Sequence, residues 1–180
     1  MRPLILLSVG TQFPFDRLTR VVDLWAKETG RDDIVAQIGP SRYKPEALKT
    51  FDLISPDEFA RLQAEAELIV AHAGMGSILG AMEASTPLII MPRDHERGEH
   101  RNGHQMATAR RFEGAAGIYV AYDEVALRQL LDRSAELDAA AATPDSALPQ
   151  FVAELKAFVD QDVRSPSLIS RAARMVRSLW

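Results

Sequence analysis

The chain has 180 residues, a formal net charge of −4 and no cysteine. That length suits one main domain, able to bury roughly two thirds of its unfolded surface. The small charge excludes a global pull toward nucleic acid or anionic membrane, and the missing thiols exclude disulfide and thiolate sites, as suits a reducing cytoplasm.

In chain order, "MRPLILLSVG" reads as a first strand over Leu4 to Val9; its apolar run is too short for a leader peptide. Asp16 begins a helix with Leu18, Val21, Val22 and Trp25 at helical spacing, and Gly30 ends it. Ile34 to Ile38 is a second strand and "TFDLI", 50 to 54, a third. "SPDE" starts the next helix, with Ser55 as N-cap, Pro56 at the first position and Glu58 closing a capping box; the helix carries Phe59, Leu62 and Ala66. Leu68 to Ala71 is a strand, Gly74 to Ala84 a helix and "PLIIMP" a strand. His104 to Phe112 is a helix, "GIYVAY" a strand and Glu124 to Arg133 a helix. Strands with almost no alternation, separated by helices, imply a parallel sheet covered on both faces. The expected fold is α/β, a doubly wound, mostly parallel, Rossmann-like sheet over residues 1–133 with extra C-terminal helices. Residues 134–149, "SAELDAAAATPDSALP", read as a linker before helices at 150–160 and 166–179. The longest uncharged run, Leu68 to Met82, is fifteen residues and contains His72 and three glycines. It falls short of the roughly 20 apolar residues of a membrane span, so no direct span is expected.

Ligands of open parallel sheets bind at the carboxyl ends of strands, so the loops there carry the chemistry. "HAGMGS", 72 to 77, opens a helix with Gly74, Met75, Gly76 and Ser77. Free N–H groups and the helix dipole there favour an anion, although such turns also serve packing. It is neither a Walker loop nor the dinucleotide fingerprint, since no Gly-Lys-Ser/Thr follows and the preceding strand is a late one. Gly10, Thr11 and Gln12 offer a second set of donors or a plain turn. "RDHERGEHRNGHQ", 93 to 105, gathers three of the four histidines with Asn102 and Gln105. It fits a polyhydroxylated ligand or a solvated loop. A metal site at His100 and His104 with Glu96 and Glu99 is disfavoured by Gly103 between the histidines. "DQD", 160 to 162, reads as solvated surface, and His72 as a hydrogen-bonded structural residue or a ligand contact. No Ser-His-Asp or Cys-His order stands out.

"VGTQFPFDRL", "ISPDEFARLQAEAELIVAHAGMGSI" and "PLIIMPRDHERGEHRNGHQMATA" occur in that order. Together they resemble the donor-binding, carboxyl-terminal half of a GT-B glycosyltransferase of the family 28 type. The likeness covers about residues 4 to 130. More closely, the chain resembles the small stand-alone subunit of two-subunit enzymes, among them the eukaryotic UDP-GlcNAc transferase of dolichol-linked oligosaccharide synthesis and bacterial exopolysaccharide glycosyltransferases. The resemblance implies a UDP-sugar donor whose diphosphate lies between the Gly10-Thr11 loop and the Gly74–Ser77 helix start. Asn102, His104 and Gln105 would then face the sugar. It implies inverting transfer of the sugar to an acceptor hydroxyl, with no metal and no further cofactor, because a helix dipole and backbone donors stabilise the leaving UDP. Many relatives carry Glu where this chain has Gly80, to hold the ribose hydroxyls; here either Glu83, one turn on, or the backbone would take that role. The acceptor-binding half of the fold is absent from this chain, so the acceptor is expected from a membrane-associated partner subunit. His100 and His104 are candidate bases because histidine takes a proton near neutral pH.

Two other functions compete. One is a nucleotide-sugar-binding module without catalysis; the other is a different GT-B enzyme such as an epimerase, which needs two fused domains. The final segment, "SPSLISRAARMVRSLW", has Ser165 as cap and an apolar face of Leu168, Ile169, Ala172, Met175, Val176, Leu179 and Trp180. That face is expected to pack on this domain or on the partner.

Overall fold

A computed structural model of the chain describes residues 4–101 and 103–139. Six strands form one parallel sheet: β1 (Ile5–Ser8), β2 (Ile34–Gln37), β3 (Lys49–Phe51), β4 (Leu68–His72), β5 (Leu88–Met91) and β6 (Ile118–Val120). Their order is β3-β2-β1-β4-β5-β6. The helices are α1 (Asp16–Thr29), α2 (Pro56–Glu65), α3 (Met75–Glu83), α4 (His104–Phe112) and α5 (Glu124–Asp132), and a short 3-10 turn spans Ser134–Glu136. This is the doubly wound Rossmann-like arrangement that the uninterrupted apolar strands imply. Every residue of β1 and β5 is buried, as a sheet covered on both faces requires. The described residues all lie in one compact unit, Met1–Ala142. The expected helices at 150–160 and 166–179, and the linker beyond residue 139, lie outside the described residues.

Leu18, Val22 and Trp25 of α1 join Leu127 and Leu131 of α5 in the core cluster on one face of the sheet. Trp25 Nε1 donates to Asp132 across that helix pair at 3.1 Å. Gly30 ends α1 in the left-handed region, at φ +64°. At α2 the Ser55 hydroxyl accepts from Glu58 N–H at 3.4 Å and Pro56 is the first residue. The reciprocal arm of the expected capping box is not used, because the Glu58 carboxylate pairs with Arg61 instead. The third strand also differs from expectation. It spans Lys49–Phe51, and the Ile54 N–H bonds to the Gln37 side chain at 2.9 Å rather than to a ladder partner. Asp23, 1% exposed, accepts from the Tyr43 hydroxyl and from the Glu46 and Ala47 N–H groups, which fixes the loop between β2 and β3.

The order reverses between β1 and β4: the chain leaves β1 for β2 on one side and reaches β4 on the other. A crevice opens at their carboxyl ends, the usual ligand position of such sheets. Two loops meet there, Val9–Phe13 after β1 and His72–Gly74 after β4.

Candidate functional site

A cavity of about 300 Å³ lies at this reversal. Val9, Gly10, Thr11, Gln12 and Phe13 line it from the loop after β1, His72 from the end of β4, and Arg93, His100 and Gln105 from the segment after β5. Six residues singled out from the sequence are thus brought together: Gly10, Thr11, Gln12, His72, His100 and Gln105. None of the lining residues carries a carboxylate.

His72 is the hinge of the arrangement. Its Nδ1 lies 3.4 Å from the Ser8 carbonyl, which only accepts, so Nδ1 carries the proton and Nε2 is left bare. Burial, and then the nearby Arg93 charge, push its pKa down to about 4, so the ring is neutral at pH 7. The ring also dictates two glycines. A Cβ on Gly74 would stand 2.2 Å from His72 Nε2, and one on Gly10, whose φ is +79°, would stand 3.0 Å from Cε1. Gly76 is different: it is exposed, helical, and a Cβ there would meet nothing within 4 Å. Packing therefore explains Gly74 and does not explain Gly76.

Gly74 is the N-cap of α3 and offers no side-chain cap. The first amide of this helix to find a backbone acceptor is Ile78, which donates to the Gly74 carbonyl at 3.2 Å. Among the described residues, the N–H groups of Met75, Gly76 and Ser77 have no backbone acceptor. An uncapped helix start beside the His72 ring can hold an anion. Ser77 is 6% exposed. Gln105 is 8% exposed, and its side-chain oxygen accepts the Arg93 N–H at 3.1 Å. His104 is the half-buried first residue of α4, and His100 packs edge-on against Phe13, ring centroids 5.5 Å apart. Asn102 lies outside the described residues. Among those residues no group of three or more His, Asp or Glu is gathered at metal-holding distance.

Glu83 is the exposed last residue of α3, about 12 Å along the helix axis from Met75 at 1.5 Å per residue. Beside Gly80 the room for a side chain is taken: a Cβ would stand 2.4 Å from Gln63 Nε2, a buried amide nitrogen with no hydrogen-bond partner.

Sequence reasoning missed Arg93 as a separate contributor. Its only signal is a position directly after the Pro92 that closes the fifth strand. It is 2% exposed, its guanidinium is 4.6 Å from the Phe15 ring, and it bonds to the Val9, Phe13, Pro14 and Glu99 carbonyls. Glu99 in turn makes a two-pronged ion pair with Arg17 of α1, at 2.9 and 2.8 Å, which anchors the long loop to the domain.

Residues 4–160 match the glycosyltransferase family 28 C-terminal domain. The chain belongs to that family. The NDP-glycosyltransferase YjiC of Bacillus subtilis is 28% identical to this family 28 domain over 134 residues, 72% of the chain and 32% of that protein. The chain thus spans about a third of the length of this curated relative. Among solved structures, the solution structure of ALG13 superposes with a TM-score of 0.58 at 18% identity, covering 83% of this chain and 92% of that one. MurG of Acinetobacter baumannii superposes at 0.54 with 20% identity, covering 74% of this chain and 42% of that one. These structural likenesses concern the fold. Among the described residues no helix of the family 28 domain is long and apolar enough to cross a membrane.

Proposed function

We propose that the chain is the donor-binding, catalytic subunit of a two-subunit glycosyltransferase. It would bind a UDP-sugar and transfer the sugar, with inversion, to a lipid-linked or polysaccharide acceptor presented by a membrane-associated partner. Exopolysaccharide assembly is the setting the sequence resemblance favours. The observation that carries the reading is the placement, at the strand-order reversal of a family 28 domain, of two donor-rich elements against the one His72 ring: the Gly10–Gln12 loop, which lines the cavity, and the uncapped start of α3, whose Gly74 abuts the same ring. The diphosphate would lie across both. The helix start would then stabilise the charge that develops on the leaving UDP. Gln105 and Asn102 would face the hexose. His72, neutral and buried, would accept a hydrogen bond and is too weak a base at neutral pH to take the acceptor proton. Of the two histidines offered for that task, His100 lines the cavity. The ribose hydroxyls would need a holder other than residue 80.

Calorimetry of the full chain with UDP and UDP-sugars tests the donor. Turnover with and without the candidate partner, taken from the neighbouring gene, tests catalysis. Sugar transfer that needs both subunits is the expected result. Tight UDP-sugar binding with no transfer in either setting would favour the non-catalytic module.

A further inference from the structure

We propose that Arg93 is a positioning residue of the donor-phosphate site, acting through the loop after β1, whose carbonyls it holds. The guanidinium gathers carbonyl oxygens from one side of that loop. Nη2 donates to Val9 at 2.6 Å and to Phe13 at 2.7 Å, and Nη1 donates to Pro14 and, at 3.3 Å, to Glu99. Every peptide bond among the described residues is trans. A trans peptide sends its N–H opposite to its C=O, so a Val9 carbonyl held by Arg93 leaves the Gly10 N–H on the far side of the peptide. Among the described residues, the N–H groups of Gly10, Thr11, Gln12 and Phe13 find no backbone acceptor. Those four residues line the cavity. One buried side chain thus holds the carbonyls at the two ends of the loop and turns the Gly10 N–H away from itself, in a loop whose N–H groups have no backbone acceptor.

The charge acts in the same direction. None of these four Arg93 bonds goes to a carboxylate, and no lining residue is acidic. Burial lowers the Arg93 pKa to about 10, which leaves it charged at neutral pH. A buried cation beside backbone donors on the wall of one cavity favours an anion there. A diphosphate is the anion of that size and charge that the donor reading supplies, and the identity of the ligand, though not the role of Arg93, rests on that reading.

The test follows backbone amide resonances of the full chain during titration with inorganic pyrophosphate and, separately, with UDP and uridine. It compares wild type, Arg93→Lys and Arg93→Met. In wild type the Gly10, Thr11 and Gln12 amides should shift as pyrophosphate binds. Arg93→Met should weaken pyrophosphate and UDP by about tenfold or more while uridine changes by less than about twofold. Arg93→Lys keeps the charge but cannot span the same carbonyls, so it should recover only part of the loss. The proposal is overturned if the wild-type amides of Gly10 to Gln12 do not respond to pyrophosphate. It is also overturned if uridine and UDP weaken equally, or if lysine restores full affinity. Should Arg93→Met not fold, the wild-type amide response decides alone. Pyrophosphate shifting these amides while UDP fails to bind would defeat the donor reading and leave the role of Arg93 standing.

Discussion

His72 couples the site to the stability of the protein. Its folded pKa is about 4, against about 6.5 for a free imidazole, so the unfolded chain binds the extra proton first. The stabilisation is complete above pH 6.5 and is lost as pH falls through 4. At about 1.4 kcal/mol per pH unit, it amounts to about 3 kcal/mol. Urea unfolding of wild type and His72→Gln at pH 7 and pH 4.5 should give a much shallower acid loss for the variant. Equal losses would mean that other groups carry the acid limb. Gly76 offers the complementary test. A valine there meets open space and an ordinary helical backbone, so the fold should keep its melting temperature. The branched side chain should nonetheless bar phosphate from the helix start and cost about tenfold or more in UDP affinity, read by calorimetry. Unchanged affinity would remove α3 from the site. The glycine pattern was legible in the sequence, but the division of labour was not. Only the His72 ring, packed against Gly10 and Gly74, separates a steric glycine from an accessible one.

Two helices carry side-chain caps of unequal geometry. The Ser55 hydroxyl is 3.4 Å from the Glu58 N–H, whereas an Asp123 carboxylate oxygen is 2.7 Å from the Ala126 N–H. N-cap replacements by alanine cost roughly 0.5–2 kcal/mol. Asp123→Ala should fall near the upper part of that range and Ser55→Ala near the bottom, in paired denaturant titrations. The reverse order would show that the helix starts depend on something other than these bonds. The bounds of α4 were readable because the glycine before it and the aromatic at its end bracket the helical spacing. The bounds of β3 were not. The Gln37 side chain takes the Ile54 N–H, and a side-chain acceptor brought from another strand leaves no local trace. Arg93 escaped for the same reason, since three of its four carbonyl partners arrive from about eighty residues earlier.

Every described residue of the site lies in the compact unit Met1–Ala142. A chain ending at residue 142 should therefore unfold cooperatively and bind UDP within about twofold of the full chain, by circular dichroism and calorimetry. A fragment that folds but loses UDP would assign part of the site to residues 143–180. The strand order carries a further consequence, for the chain as it is made. β1 is synthesised first yet sits inside the sheet, and one of its edges stays bare until β4, Leu68–His72, has left the ribosome. The cavity waits longer, since Gln105 must arrive to meet Gly10. Pairings this distant in sequence form slowly. A nascent chain that has not yet reached Gln105 thus lacks one wall of this cavity, and a ligand bound there cannot assist the earlier steps of folding.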